Sequence, residues 1–124
     1  MEPTKLSMVV RNHSGEQNDS SSISIIDIQG EITSTAENTL MDAYTQATSS
    51  GAREILLNFN DLEYMNSSGI GLLVTLLIRV NRQKQRLGVF GLSDHYRQIF
   101  ELTRLDEAIN IYPGETEALA ALSN

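Results

Sequence analysis

Two adjacent serines, Ser67 and Ser68, stand where an apolar strand-like segment hands over to an apolar helix-like one, in the run Y-M-N-S-S-G-I-G-L-L-V from Tyr64 to Val74. A hydroxyl at such a junction meets the unpaired N–H groups and positive dipole end of a helix, which welcome an oxygen acceptor or a phosphate. Two roles suit it. Either one hydroxyl caps the helix while the other fills the turn, or one of them accepts a phosphoryl group. A phosphoserine adds roughly −1.5 to −2 charges, against which the helix dipole returns about 0.3 to 1 kcal/mol. An interface laid over the same spot, close to Asp61 and Glu63, loses more, because it must bury a dianion beside carboxylates. A modification here acts on binding more than on folding.

Catalysis fits the residues poorly. A nucleophile elbow needs G-x-S-x-G, and Ser67 has Met65 two residues before it and Gly69 two after. The histidines are His13, expected in a loop, and His95, expected as a solvated first-turn residue beside Asp94. Asp61 with Glu63 reads as a solvated loop pair, since no third ligand accompanies it. Gly69 and Gly71 allow a tight turn or a close backbone approach, but G-x-G alone is not a phosphate cradle, and neither a Walker pattern nor a dinucleotide fingerprint is present. We expect no enzyme, no metal and no cofactor.

The elements that would position the serines follow from periodicity. Leu6 to Arg11 and Ile23 to Ile28 read as two strands, joined by a polar connector at His13 to Ser22 expected to be a flexible hairpin loop. Gly30 is expected to end the second strand, and Ser34 with Glu37 matches a capping box ahead of a helix whose Leu40, Ala43, Tyr44 and Ala47 share a face. That helix should end near Ser50 and Gly51. A buried strand follows at Ile55 to Phe59, then a loop at Tyr64 to Gly69, then a helix from Ile70 to about Gln85. Eight of the eleven residues from Ile70 to Val80 are apolar, too many for one solvated stripe, so this helix is either buried on several sides or partly a docking surface.

Leu87 to Leu92 reads as a short strand, and Ser93 caps a helix with Tyr96, Ile99, Phe100 and Thr103 at helical spacing. Ile109 to Tyr112 is a last strand stopped by Pro113 and Gly114, and Glu115 and Glu117 begin a terminal helix whose Leu119 and Leu122 face inward. Strands alternating with helices require right-handed crossovers. The expectation is one domain over 1–124, an α/β or mixed α+β sandwich. Its sheet is mixed and mostly parallel, four- to five-stranded, with an N-terminal hairpin and about four helices. Working surfaces in such sheets lie at the carboxyl ends of the strands, where the serines fall.

Composition narrows the partners. The chain has 124 residues and a net charge of −7, which disfavours a nucleic-acid backbone or an anionic membrane as the main partner. A basic docking partner fits better. Arg79, Arg82, Lys84 and Arg86 gather near the end of the long helix, where cations suit the dipole or where an acidic protein could dock. The absence of cysteine removes disulfide and thiolate chemistry. Met1 to Lys5 begin no signal-peptide pattern, and the most apolar stretch, stopping at Arg79, is shorter than the roughly 20 residues a bilayer demands. A soluble cytoplasmic protein, monomeric by preference, is the expectation.

The D-L-x-x-M-N-S-S-G-I-G segment at Asp61 to Gly71, the strand before it, the G-E-I-T segment at Gly30 to Thr33 and the order of elements together resemble the STAS domain. Within that family the resemblance, which covers nearly the whole chain, is strongest to small single-domain anti-sigma-factor antagonists of bacterial partner-switching systems. It implies a STAS-like sandwich that, unphosphorylated, binds an anti-sigma factor that is also a serine-protein kinase. Phosphorylation of the first serine, here Ser67, would release that partner, and a phosphatase would restore binding. Asn66 stands where the family typically carries an acidic residue. The partner surface expected by that analogy comprises Tyr64, Met65, Asn66, Ser67, Ser68, Ile70 and Leu73, with Glu31, Thr33 and Ser34 from the adjacent segment. The family also offers a scaffold, or a small subunit of a lipid-transport ATPase complex, neither switched by phosphorylation.

Overall fold

The computed structural model describes residues 6–13 and 22–122. Five strands form one sheet in the order β1 (Ser7–His13), β2 (Ile23–Ile32), β3 (Glu54–Met65), β4 (Arg86–Phe90) and β5 (Asn110–Tyr112). β1 pairs antiparallel with β2, and every later neighbour is parallel. Between the strands run α1 (Glu37–Ser49), α2 (Ser67–Arg82) and α3 (Asp94–Leu102), and α4 (Glu115–Leu122) closes the chain. Because neighbouring strands follow one another in sequence, right-handed crossovers carry α1, α2 and α3 to the same face.

Alternation along each strand sends side chains to two separate cores. Ile26, Ile28, Leu57 and Val89 face Leu40 and Ala43 of α1, Leu73 and Leu76 of α2, and Phe100 of α3. Ile23, Ile25, Leu56 and Phe90 face the other way and are covered by Ala118, Leu119 and Leu122 of α4. Burial on both faces explains why successive residues of β2 from Ile23 to Ile26 are all buried, Ser24 included, and why Ile55, Leu56 and Leu57 run together in β3. An ion cluster pins the start of α4. The Arg11 guanidinium donates to Asp27 Oδ1 at 2.8 Å and to Glu115 Oε1 at 2.8 Å, and Asn58 Nδ2 donates to Asp27 Oδ1 at 2.8 Å. Hydrogen bonding to Arg11 holds both carboxyls below their ordinary pKa.

Several expected boundaries move: α2 starts at Ser67 rather than Ile70 and stops at Arg82 rather than near Gln85, and β4 stops at Phe90 rather than Leu92. Gly30 does not end β2; its φ of 108° bends the strand, which continues to Ile32 beside β3. β3 likewise continues to Met65, so Asp61, Glu63 and Tyr64 belong to a strand rather than a loop. It carries one residue more than β2 between Asn58 and Asp61 and again between Leu62 and Tyr64. Such bulges bend a strand and re-aim its side chains, here just before the serines. His13 is the last residue of β1, paired with Ile23, while the connector expected after it lies, for residues 14–21, outside the described residues.

Candidate functional site

The residues leading into α2 are fixed by their backbones. Met65 is 4% exposed, lies beside Ile32 in register, and its N–H donates to the Tyr96 hydroxyl at 2.7 Å. The Asn66 N–H donates to the Ile32 carbonyl at 3.3 Å. Asn66, with extended backbone, is the N-cap: its Oδ1 accepts the Gly69 N–H at 2.9 Å. Neither serine therefore caps the helix. Ser67 and Ser68 occupy its first two positions, both exposed, and among the described residues no hydrogen bond engages either hydroxyl. A free hydroxyl beside open helix N–H groups is what a phosphoacceptor needs.

The segment after β2 lies against this junction. Glu31 pairs with Tyr64 in the sheet, and the 3-10 turn Ser34–Ala36 packs against α2. The expected Ser34–Glu37 capping box does not form. Thr33 caps the turn instead, its Oγ1 accepting the Thr35 N–H at 3.4 Å, because a 3-10 turn precedes α1 and moves the cap one residue back. Ser34 is left exposed.

The structure thus gathers Glu31, Thr33, Ser34, Tyr64, Asn66, Ser67, Ser68 and Ile70 at one end of the sheet. Two members of the expected surface are corrected. Met65 at 4% exposure and Leu73 at 0% are buried in the core rather than presented at the surface. The exposed surface continues along α2 through Val74 and Ile78, which are not among the expected residues. Ser67, Gly71, Val74, Ile78 and Arg82 follow one another at intervals of three or four and are all exposed, so they form one stripe of α2. Val74 is 38% and Ile78 48% exposed, and Tyr64 at the head of the helix is 48% exposed. Counting in helical steps from Ser67 would have found them.

Other candidates stay apart. His95 is an exposed first-turn residue whose ring meets the edge of Tyr96 at 4.9 Å, and no hydrogen bond links either histidine to Ser67 among the described residues. Among the described residues no group of His, Asp and Glu could hold a metal ion, and no helix is long and apolar enough to cross a membrane.

A bulged β3 entering a capped α2, with a free serine at its first position, sits within a mixed five-stranded sheet whose first pair is antiparallel and the rest parallel. The family model of the STAS domain matches residues 16–118, and the chain belongs to that family. Among characterised relatives, the anti-sigma-B factor antagonist of Staphylococcus aureus is 29% identical over 89 residues, covering 72% of this chain and 82% of its own. An anti-sigma factor antagonist from Mycobacterium paratuberculosis superimposes with a TM-score of 0.78 at 21% identity, over 97% of this chain and 96% of that one. The phosphorylated form of the Bacillus cell fate determinant SpoIIAA does so with a TM-score of 0.63 at 21% identity, over 91% and 98%.

Proposed function

We propose that this protein is an anti-sigma-factor antagonist of a bacterial partner-switching pathway, with Ser67 as its phosphoacceptor. The observation that carries the reading is the division of labour at the head of α2. Asn66 supplies the cap, so the Ser67 hydroxyl is exposed and uncommitted at the start of an apolar stripe. The names of the S. aureus relative and of the solved antagonists support the same reading.

Unphosphorylated, the N-terminal part of the stripe, from Ser67 to Val74, and the flanking Glu31, Thr33, Ser34 and Tyr64 receive an anti-sigma factor that is also a serine kinase. That kinase supplies ATP and magnesium in its own site, and this chain need offer only an oxygen. Ser67 Oγ bonds to the γ-phosphorus, the bond to ADP breaks, and the hydroxyl proton passes to the kinase's base. The helix dipole accommodates the product, so the fold survives. A partner covering Val74, two turns from Ser67, must now desolvate a dianion and leaves. A phosphatase resets the surface.

Intact-mass and site mapping of the protein from its native cells, with and without phosphatase, tests the assignment. Phosphate on Ser67 that the phosphatase removes supports the switch. Unmodified Ser67 under all growth conditions, or a Ser67→Glu variant that titrates the partner as tightly as wild type, overturns it in favour of an unswitched scaffold.

A further inference from the structure

At the far end of α2 the surface chemistry changes sign. Arg79 and Arg82 are exposed and, with Tyr44 and Gln83, line a cleft of about 240 Å³ beside α1. The cleft has a fixed wall. The Tyr44 hydroxyl donates to Gln85 Oε1 at 2.7 Å, and Gln85 Nε2 donates to the Ala52 carbonyl at 2.8 Å. Among the described residues Arg79, Arg82 and Lys84 make no ion pair, whereas Arg11 is committed to Asp27 and Glu115 and Arg86 to Glu54. The helix dipole supplies roughly half a negative charge at this terminus, too little to balance three full cations. Ile78 and Val74 continue the surface toward the N-terminus, Ile78 one turn before Arg82.

We infer that the C-terminal half of α2 is a second docking site, taking an acidic protein segment that carries an apolar residue next to its carboxylates. The carboxylates would pair with Arg79 and Arg82, which bind such groups in a two-pronged fork, and the apolar residue would cover Ile78. A nucleic acid fits less well. Its phosphates repeat every ~1.7 Å along a duplex and feel the net charge of −7 along their length, and an apolar neighbour offers a phosphate backbone nothing. A short acidic segment presents few charges, all at the cleft.

The site is electrically separate from the serine. Ser67 and Arg82 stand 15 residues apart on α2, which is about 22 Å at helical rise. The screening length in physiological salt is about 8 Å. Docking at the arginines is therefore independent of phosphate on Ser67, and the protein can hold an acidic tether at one end of α2 while the other end releases its partner. This second site does not depend on Ser67 being the phosphoacceptor.

Fluorescence anisotropy at low salt tests it on the full chain. The probe is a fluorescein-labelled peptide alternating pairs of glutamates with single leucines. Its glutamine counterpart and a DNA duplex of equal charge serve as competitors. The glutamate peptide should bind wild type and the Ser67→Asp variant within about twofold of each other, and R79E/R82E should weaken it about tenfold or more. R82E should weaken it measurably, whereas R97E, the same change of net charge on α3, should not. R79Q/R82Q, read alongside thermal melts, replaces the reversal if that variant folds poorly. No binding to wild type, equal losses in R97E and R82E, an affinity that follows Ser67→Asp, or preference for the duplex would each overturn the inference, the last in favour of a nucleic-acid surface.

Discussion

A methyl group on Gly69 would lie 2.2 Å from the carbonyl oxygen of Ile32. The first turn of α2 and the end of β2 approach this closely because Asn66, three residues earlier, also donates its N–H to that carbonyl. The serine's position is thus set by a backbone contact that only glycine permits.

Gly69→Ala should destabilise the fold by about 1–3 kcal/mol, near the upper figure because the obstacle is backbone. Thermal melting should show a fall on the order of 10 °C. Gly71→Ala is the matched control. Nothing lies within 4 Å of its added methyl, so helix propensity should raise stability by up to about 1 kcal/mol. If the two variants melt together, the close approach is not a constraint.

Asn66→Ala removes the cap and should cost about 0.5–2 kcal/mol. Asn66→Asp keeps an acceptor for the Gly69 N–H and adds charge where the dipole favours it, so its denaturation midpoint should stay close to wild type. An aspartate as damaging as alanine would mean the side chain serves through its amide rather than its oxygen.

Tyr96→Phe leaves the buried Met65 N–H without the hydroxyl that accepts it at 2.7 Å. Loss of about 1–3 kcal/mol is expected, and amide exchange should speed up at Met65 and Asn66 before the rest of β3. Uniform exchange across the sheet would place the effect in global stability instead.

Acid should loosen α4. Arg11 lowers the carboxyl pKa of both Asp27 and Glu115, so their contribution is fully present above the unfolded carboxyl values, near 4, and is lost as pH falls through the depressed folded ones. Both carboxylates are partly exposed, at 30% and 36%, which limits the contribution to about 1 kcal/mol. Arg11→Met should lower stability at neutral pH and flatten this part of the acid profile. A profile unchanged in shape would assign the acid loss to other groups.

Ser67→Ala should change folding stability by less than about 0.5 kcal/mol, since the side chain is exposed and makes no hydrogen bond among the described residues, and Ser67→Asp should be at most about 1 kcal/mol more stable through the helix dipole. Partner titration should separate them in the opposite sense, with alanine binding and aspartate weakened. A large melting shift in either would show that the hydroxyl holds the helix start together.

Much of the fold was legible because its signals are local. Ser93 caps α3 through the Tyr96 N–H at 3.3 Å, α1 stops at Ser49, and β5 ends before Pro113, each as local chemistry requires. The misread boundaries share a cause. Gly30 and the stretch from Asp61 to Met65 look like strand ends by composition, yet each is held in the sheet by a neighbouring strand whose register is set elsewhere. Thr33 displaced Ser34 as a cap because the chain tightens into a 3-10 turn against α2, which no residue in that segment announces.

The sequence by itself determined the order of strands and helices, the mostly parallel sheet, and the placing of a serine pair at the start of an apolar helix, all of which follow from periodicity and turn chemistry. Tertiary structure decided which oxygen caps that helix and which of its stripes is exposed. Asn66 and the serines are equally able caps in isolation, and the choice falls to Asn66 because its backbone is tied to Ile32. Leu73 and Val74 are equally apolar, and a helix apolar on nearly every side has no phase of its own. Packing against the sheet buries Leu73 and leaves Val74 facing outward.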